Sequence, residues 1–181
     1  LRVLDMLNVK YIIDLNESGN VELKINEDVL GSAWFVDEVR KATDSNQELL
    51  GLSSLDYKKT CLSTHLNNKT YGGSSKNYVE VVEKMPNKII YKVFSNDTGF
   101  IVFSEAFYKN GWVAKINGEV TDHHKVNYLL RGLEVEGGEH EIVFTFEPDV
   151  IKTGTLLMAS SNILLLILVF FSFRNLIKNV Q

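Results

Sequence analysis

The sequence predicts a mostly β protein: an antiparallel β-sandwich with a small α+β N-terminal part, followed by one C-terminal transmembrane helix. Short apolar runs alternate with turn residues from residue 77 to residue 148, a spacing typical of sandwiches. No charged side chain occurs from Thr153 to Phe173, and about 20 helical residues span the hydrocarbon core of a bilayer. The single cysteine, Cys61, excludes a disulfide framework, so the fold must rest on its apolar core and Cys61 is expected to be buried in it.

The first part of the chain is predicted to contain three short strands. Residues 9–13 form a strand-like apolar run, which ends at the polar turn cluster of residues 16–20. Residues 21–25 alternate apolar and charged side chains, the period of a half-buried strand. Residues 33–36 begin the third strand.

One short helix and one loop complete this part. Ser45 is followed three residues later by Glu48, a capping-box pattern that predicts the start of a helix. Residues 67–76 show no periodicity and are predicted to form an exposed loop. We therefore place a boundary there, with a small α+β subdomain at 1–76 and a β-sandwich extracytoplasmic domain at 77–152.

The second domain is predicted to consist of strands joined by turns. Asn117-Gly118 separates two apolar runs and is a strong hairpin signal, because both residues accept positive φ. Gly137-Gly138 is a second predicted turn. The predicted strands are residues 78–83, 89–94, 100–103, 113–116, 119–120, 128–130, 133–135 and 140–146.

The transmembrane helix is placed at 153–173 and a cytoplasmic tail at 174–181. Lys152 precedes the apolar span, whereas Arg174 and Lys178 follow it. Positive residues prefer the cytoplasmic side of a membrane, so residues 1–152 are expected outside the cytoplasmic membrane. The alternative is a buried helix of a soluble protein, which would need a large apolar partner surface that the rest of this chain does not supply.

Small and polar residues within the span suggest helix packing. Gly154 and Ala159 would permit close approach of another helix, and Asn162 lies near the middle of the span, where polar groups normally face protein. We expect these three to pack against transmembrane helices that precede residue 1 in a longer protein. Alternatively, Asn162 is tolerated in lipid or hydrogen-bonds to its own helix.

Composition excludes several classes of function. A net charge of -4 gives no basis for nucleic-acid binding, which depends on basic surface. One cysteine cannot build a paired-cysteine zinc site. Asp122-His123-His124 invites a metal interpretation, but adjacent histidines on a strand point to opposite faces, and a solvated loop is favoured. We predict no metal and no cofactor.

Several sequence segments, taken in their order along the chain, resemble those of a known protein family. Residues 104–112 (Ser-Glu-Ala-Phe-Tyr-Lys-Asn-Gly-Trp) are the most specific of them. Over nearly its whole length the chain resembles the C-terminal part of YfhO-like bacterial membrane proteins. The other segments that carry the resemblance are residues 8–13, 33–36, 48–50, 126–132, 137–140 and 146–148.

The resemblance implies a role in sugar transfer. YfhO-like proteins are long multi-pass proteins similar to C-type glycosyltransferases, which use lipid-linked sugar donors at the outer membrane face. By this resemblance the chain is an extracytoplasmic domain plus the last helix. The catalytic acidic residue of C-type enzymes lies in an early loop that this sequence does not contain. No catalytic residue is therefore expected here, and the enzymatic status of the full-length protein stays open.

The candidate glycan-binding or lid surface is Glu105, Tyr108 and Trp112, with Asn127 and Arg131 as a polar edge. Aromatic faces and hydrogen-bonding groups suit sugar rings. Alternatively, Trp112 belongs to the core and the two polar residues satisfy loop backbone groups.

The leading hypothesis is a domain accessory to sugar transfer from a lipid-linked donor to a cell-envelope acceptor, with the upstream helices, a glycan or lipid-linked sugar and the membrane as partners. The alternative is a non-catalytic carbohydrate-binding or assembly module of a cell-surface complex.

Overall fold

A computed structural model gives the positions of residues 2–16 and 19–179. Leu1, the turn residues Glu17 and Ser18, and the last two residues of the predicted tail, Val180 and Gln181, lie outside the described residues. The chain divides into two units, one ending at Phe146 and the other beginning at Glu147.

The described elements confirm a mostly β fold with antiparallel sheets. In chain order they are α1 (Arg2–Met6), β1 (Tyr11–Leu15), β2 (Val21–Ile25), β3 (Ala33–Val36), β4 (Glu38–Lys41), α2 (Ser45–Gly51), β5 (Thr60–Ser63), β6 (Lys69–Thr70), β7 (Tyr78–Met85), β8 (Lys88–Ser95), β9 (Gly99–Ala106), β10 (Trp112–Ile116), β11 (Glu119–Thr121), β12 (His124–Val126), β13 (Leu130–Val135), β14 (Gly138–Phe146) and α3 (Asp149–Asn179).

Two antiparallel sheets pack face to face and confirm the predicted sandwich. One has the strand order β11-β10-β14-β8-β7 and the other β12-β13-β9-β3. The rings of Tyr91, Phe103 and Phe144 meet between them, at centroid distances of 4.9, 5.0 and 6.2 Å. Aromatic pairs in these edge-to-face arrangements stabilise beyond their burial alone. The core of the sandwich therefore lies between β8, β9, β13 and β14.

The four-stranded sheet also has a core on its other face. Phe100 and Val102 of β9 face this second core, while Ile101 and Phe103 face the sandwich core. A strand buried on both faces needs a continuous apolar run rather than alternation, which is what residues 100–103 provide. The second core also takes in residues of α1, β4 and β5, and Leu52 just after α2, and it includes Cys61, which is fully buried as predicted.

Strands on both sides of residue 76 share a sheet. β3 pairs antiparallel with β9, from Ala33 opposite Phe103 to Val36 opposite Phe100. This pairing joins the two parts of the chain within one sheet, and the predicted domain boundary at residue 76 stays a prediction.

The expectation of an exposed loop at 67–76 is wrong in part. β6 lies within it, and Tyr71 is buried, with its ring 5.7 Å from that of Phe100 and its hydroxyl donating to Glu134 Oε2 at 2.6 Å. The second core draws this aromatic ring out of solvent.

The cap of α2 differs by one residue from the prediction. Asp44, not Ser45, is the N-cap, and its carboxylate accepts from Gln47 N at 2.8 Å. The Gln47 side chain in turn accepts from Thr43 N at 2.6 Å. Glu48 is instead fully buried, because its position on the helix faces the second core.

The hairpin signal at Asn117-Gly118 is confirmed. The two residues have φ values of 51° and 89° and join β10 to β11, as the favoured two-residue turn requires.

The half-buried strand expected at residues 21–25 is a strand, but all five of its residues are exposed. It pairs with β1 alone among the described strands, so no second layer covers it.

The second unit is a single long helix. α3 begins at Asp149, before the span predicted from residue 153, and its segment Asp149–Ser172 is long and apolar enough to cross a membrane. Lys152 lies in its first turn, 3.7 Å from Asp149 and 3.6 Å from Glu147. An acidic residue in the first turn favours the earlier start, because it interacts well with the helix dipole.

Candidate functional site

Four of the five predicted surface residues meet at one end of the sandwich. The Arg131 guanidinium carbon lies 4.2 Å from the centroid of the Trp112 ring. Phe146 lies 5.2 Å from Trp112 and 6.3 Å from Tyr108, between ring centroids. Glu105 lies near enough to act electrostatically on Arg131. We call Tyr108, Trp112 and Phe146 the aromatic cluster.

The turn between β9 and β10 places the cluster. Phe107 N donates to Leu129 O at 2.7 Å, which fastens the start of the turn to the neighbouring loop. Trp112 then pairs with Phe146 as β10 joins β14. A Cβ at Gly111 would overlap the Phe146 ring and lie 2.8 Å from Tyr108 Cδ1. Glycine is therefore required for the rings to approach this closely.

Arg131 is a buried cation held by aromatic rings. It is 2% exposed and lies against Trp112 and, at 5.1 Å, Phe144. Its Nε donates to Ala106 O at 2.9 Å, but its Nη1 has no hydrogen-bond partner within the described residues. Burial lowers the pKa of Arg131. Cation–π contacts offset part of the cost of removing this charge from water.

His123 is not in a solvated loop as expected. Its ring lies 5.3 Å from that of Phe107 and 5.6 Å from that of Phe144, while His124 begins β12. The two aromatic rings form the apolar site that removes it from water. Burial, and secondarily the charge of Arg131, lower the pKa of His123 to about 4, so its ring is neutral at pH 7. Among residues 2–16 and 19–179, no three His, Cys, Asp or Glu side chains converge as metal ligands would.

The accessible part of this end is small and mixed in chemistry. Tyr108 is 54% exposed, and Trp112 is half-buried. Glu105 forms an ion pair with Lys84 at 2.6 Å, which joins β9 to β7 of the other sheet. An exposed aromatic ring can stack on the apolar face of a sugar, and a charged pair can hydrogen-bond to hydroxyl groups.

Asn127 does not join the other four. Its Oδ1 accepts from Leu62 N at 2.9 Å, and its Nδ2 contacts Met6 Sδ at 3.4 Å. It is 3% exposed and, like Tyr128, has a positive φ. Asn127 therefore fastens the turn before β13 to β5, and neither it nor Arg131 is accessible to a ligand in solution.

Sequence reasoning missed a polar groove of about 700 Å³ on the sandwich. Carboxylates and imidazoles from four different strands and the segments between them line it, so no local sequence motif indicates it. A groove of this chemistry suits a ligand rich in hydroxyl or cationic groups. The charged or titratable lining residues are Glu119, Asp122, His124, Glu134, Glu136 and His140.

The three residues predicted for packing within the membrane are exposed on α3. A Cβ at Gly154 would meet nothing within 4 Å, and Ala159 and Asn162 are exposed as well. Ser160 and Ser161 donate to Leu157 O at 2.9 and 2.8 Å. Packing against other helices stays a prediction.

Comparison with protein families gives one match. A family model described as the bacterial membrane protein YfhO matches residues 63–158, more than half of the chain. The matched part runs from the end of β5 into α3 and includes the whole aromatic cluster. No curated protein and no solved structure matches the chain.

Proposed function

Because this chain belongs to the YfhO family of bacterial membrane proteins, we propose that it is the C-terminal extracytoplasmic domain and last membrane helix of a glycosyltransferase-like protein. In this proposal the domain is accessory to sugar transfer from a lipid-linked donor to a cell-envelope acceptor. The reaction itself belongs to other parts of the protein. One observation carries the proposal: the exposed Tyr108 ring and the half-buried Trp112 ring both pack on the ring of Phe146 at this end of the sandwich.

The rigidity of the cluster supports a binding role. Arg131 packs on Trp112 from inside the sandwich, and Phe146 packs between Trp112 and Tyr108. A ring that is already immobilised loses little entropy when a sugar stacks on it. Glu105 and Lys84 supply an acceptor and a donor for sugar hydroxyl groups.

Chain connectivity supports the link to a lipid-borne substrate. Phe146 ends β14, and only Glu147 and Pro148 separate it from α3. Two extended residues reach about 7 Å. A linker of this length supports a role for the domain with a substrate that is itself anchored in the membrane.

The charges that flank the helix support the proposed orientation, with the domain outside and the tail inside. Arg174 and Lys178 lie beyond the apolar span, while Lys152 at its start is accompanied by Glu147 and Asp149. The positive-inside tendency favours a tail in the cytoplasm and a sandwich outside.

The test uses the full-length protein in its bacterium, with Tyr108→Ala as the variant and Tyr128→Ala as the matched control. Both tyrosines are exposed, at 54% and 43%, but the Tyr128 ring contacts Lys125 and is not a member of the aromatic cluster. We expect a several-fold loss of sugar on the envelope acceptor for Tyr108→Ala at unchanged protein abundance, and no loss for the control. Unchanged glycans in Tyr108→Ala would contradict the proposal.

A second candidate is a non-catalytic carbohydrate-binding or assembly module. The edge strand β7 favours it, because Tyr78, Val82 and Met85 are 37%, 65% and 48% exposed. This candidate predicts that a stoichiometric protein partner co-purifies through residues 77–148 and that surface glycans do not change when the domain is deleted.

A further inference from the structure

The hairpin of β1 and β2 carries an unusual face. Its register places Tyr11 opposite Ile25, Ile13 opposite Leu23 and Leu15 opposite Val21. Directly opposed residues share a face of an antiparallel pair, and alternate residues along each strand point the same way. All six side chains therefore project from one face, which we call the apolar ladder. Their exposed fractions are Tyr11 57%, Ile13 74%, Leu15 65%, Val21 72%, Leu23 59% and Ile25 61%.

The other face of the hairpin is charged. Lys24 Nζ lies 3.1 Å from Asp14 Oδ2 and 3.8 Å from Glu22 Oε2. No charged side chain belongs to the ladder itself. The hairpin is thus amphipathic, with one face suited to water and the other suited to an apolar medium. An isolated two-stranded hairpin is at best marginally stable in water, so a medium that accepts the ladder would stabilise it.

Hydrogen bonds fix the base of the hairpin to the rest of the first unit. Asp5, which is 3% exposed, accepts from Asn26 Nδ2 and from the Tyr57 hydroxyl, both at 2.7 Å. Asn26 N also donates to Lys10 O at 2.8 Å, just before β1. The bond to Asp5 is the main cause that raises the pKa of Tyr57 to about 12, so this donor persists at neutral pH. The ladder is therefore held in place while its side chains remain uncovered.

We propose that the apolar ladder rests in the interfacial region of the lipid bilayer, with Asp14, Glu22 and Lys24 facing water. The covalent link between the first unit and the membrane helix favours lipid as the partner of the apolar ladder. The first unit is tied to α3 by two residues, so a bilayer surface adjoins every molecule at any protein concentration. A second copy would have to be encountered by diffusion. Interfacial elements characteristically pair an apolar face with a charged one and use aromatic residues such as Tyr11 at the boundary.

The test compares labels on the two faces of the hairpin. The 181-residue chain is placed in phosphatidylethanolamine–phosphatidylglycerol vesicles, with a polarity-sensitive fluorophore on Ile13→Cys or on Glu22→Cys. The native Cys61 is fully buried and does not compete for label. We expect the label at residue 13 to emit at shorter wavelength and to be quenched several-fold more strongly by doxyl lipids than the label at residue 22.

Two outcomes would overturn the proposal. Equal, weak quenching at both positions would mean that the ladder is in water. A shielded label at residue 13 that doxyl lipids do not quench would mean that a second copy or another protein covers the ladder. Leu23→Cys, on the ladder opposite Ile13, repeats the measurement if Ile13→Cys does not fold. The result is independent of sugar transfer, because none of these residues belongs to the aromatic cluster.

Discussion

At the scale of single residues, His123 makes stability depend on pH. Its pKa is lowered to about 4 by burial and by Arg131, whereas the unfolded chain titrates near 6.5. The unfolded state therefore binds more protons between these values, and stability falls as pH falls from about 6.5 to about 4. We expect a loss of about 2 kcal/mol between pH 7 and pH 4.5, measured by urea unfolding of the chain in detergent.

The matched variants are His123→Asn and His65→Asn. His123→Asn should remove most of this pH dependence, while His65→Asn, at an exposed position, should leave it intact. An unchanged slope in His123→Asn would show that another group is responsible.

Gly132 is a second residue whose identity is dictated by packing. A Cβ there would lie 2.6 Å from two carbons of the Phe100 ring and 2.9 Å from Val126 Cγ1. Overpacking of this kind costs about 1–3 kcal/mol, so Gly132→Ala should lower the free energy of unfolding by that amount. Gly72→Ala, where a Cβ meets nothing within 4 Å, is the control and should be nearly neutral in the same denaturation assay.

Buried charge was the hardest property to predict from the sequence. Arg131 was expected at a polar edge and Glu48 in a helix cap, yet both are buried. A local pattern does not reveal such burial, because the groups that satisfy these residues are brought in from distant segments. Lys125 contacts Glu48, and Ala106 contacts Arg131.

At the scale of elements, Glu48 attaches α2 to the turn before β13. Its Oε1 accepts from Tyr128 N at 3.0 Å, and its Oε2 lies 3.1 Å from Lys125 Nζ. Breaking a buried ion pair from one side costs about 3–5 kcal/mol. We expect Glu48→Ala to lose an amount in this range on thermal or urea unfolding, in part because the pair also keeps the strained turn at Tyr128 in place.

Asp44→Ala is the comparison on the same helix. It removes only the N-cap, which is worth about 1 kcal/mol. Equal losses in the two variants would contradict the anchoring role of Glu48 and would indicate that α2 contributes only as a helix.

Elements with a strong local signal were predicted well. The alternating or continuous apolar runs of β2, β3, β8 and β9 and the turn at Asn117-Gly118 appear in the structure as expected. Five short elements were missed: α1, β4, β5, β6 and β12, which have five, four, four, two and three residues. Such short segments carry too few residues for a period to be read, and their pairing partners determine them.

At the scale of the whole molecule, the predicted topology can be tested by reporters fused after Gln181. We expect a C-terminal green fluorescent protein to fluoresce and a C-terminal alkaline phosphatase to be inactive in cells, because the positive residues Arg174 and Lys178 favour the cytoplasm. A fusion placed after Asp122, in the sandwich, should give the opposite pair of results. An active phosphatase after Gln181 would reverse the assigned orientation.

The candidate site was predicted in part. Tyr108 and Trp112 lie together because one turn carries both, and Arg131 reaches Trp112 from β13, which pairs with β9. Asn127, although near Arg131 in sequence, faces the other core. Asn127 lies in the turn before β13 and has a positive φ, so closeness in sequence did not imply closeness in space.

The order of strands in the four-stranded sheet has a consequence for biosynthesis. β3 has its neighbour in β9, and β9 has its other neighbour in β13, so the middle of the molecule joins segments that leave the ribosome far apart in time. Such non-local pairing slows folding, because the chain must lose the entropy of closing a long loop before stabilising contacts form. The earliest third of the chain must therefore wait, with its apolar residues unprotected, until nearly all of the sandwich has been made. A pause or truncation before β13 would leave a nascent chain dependent on chaperones.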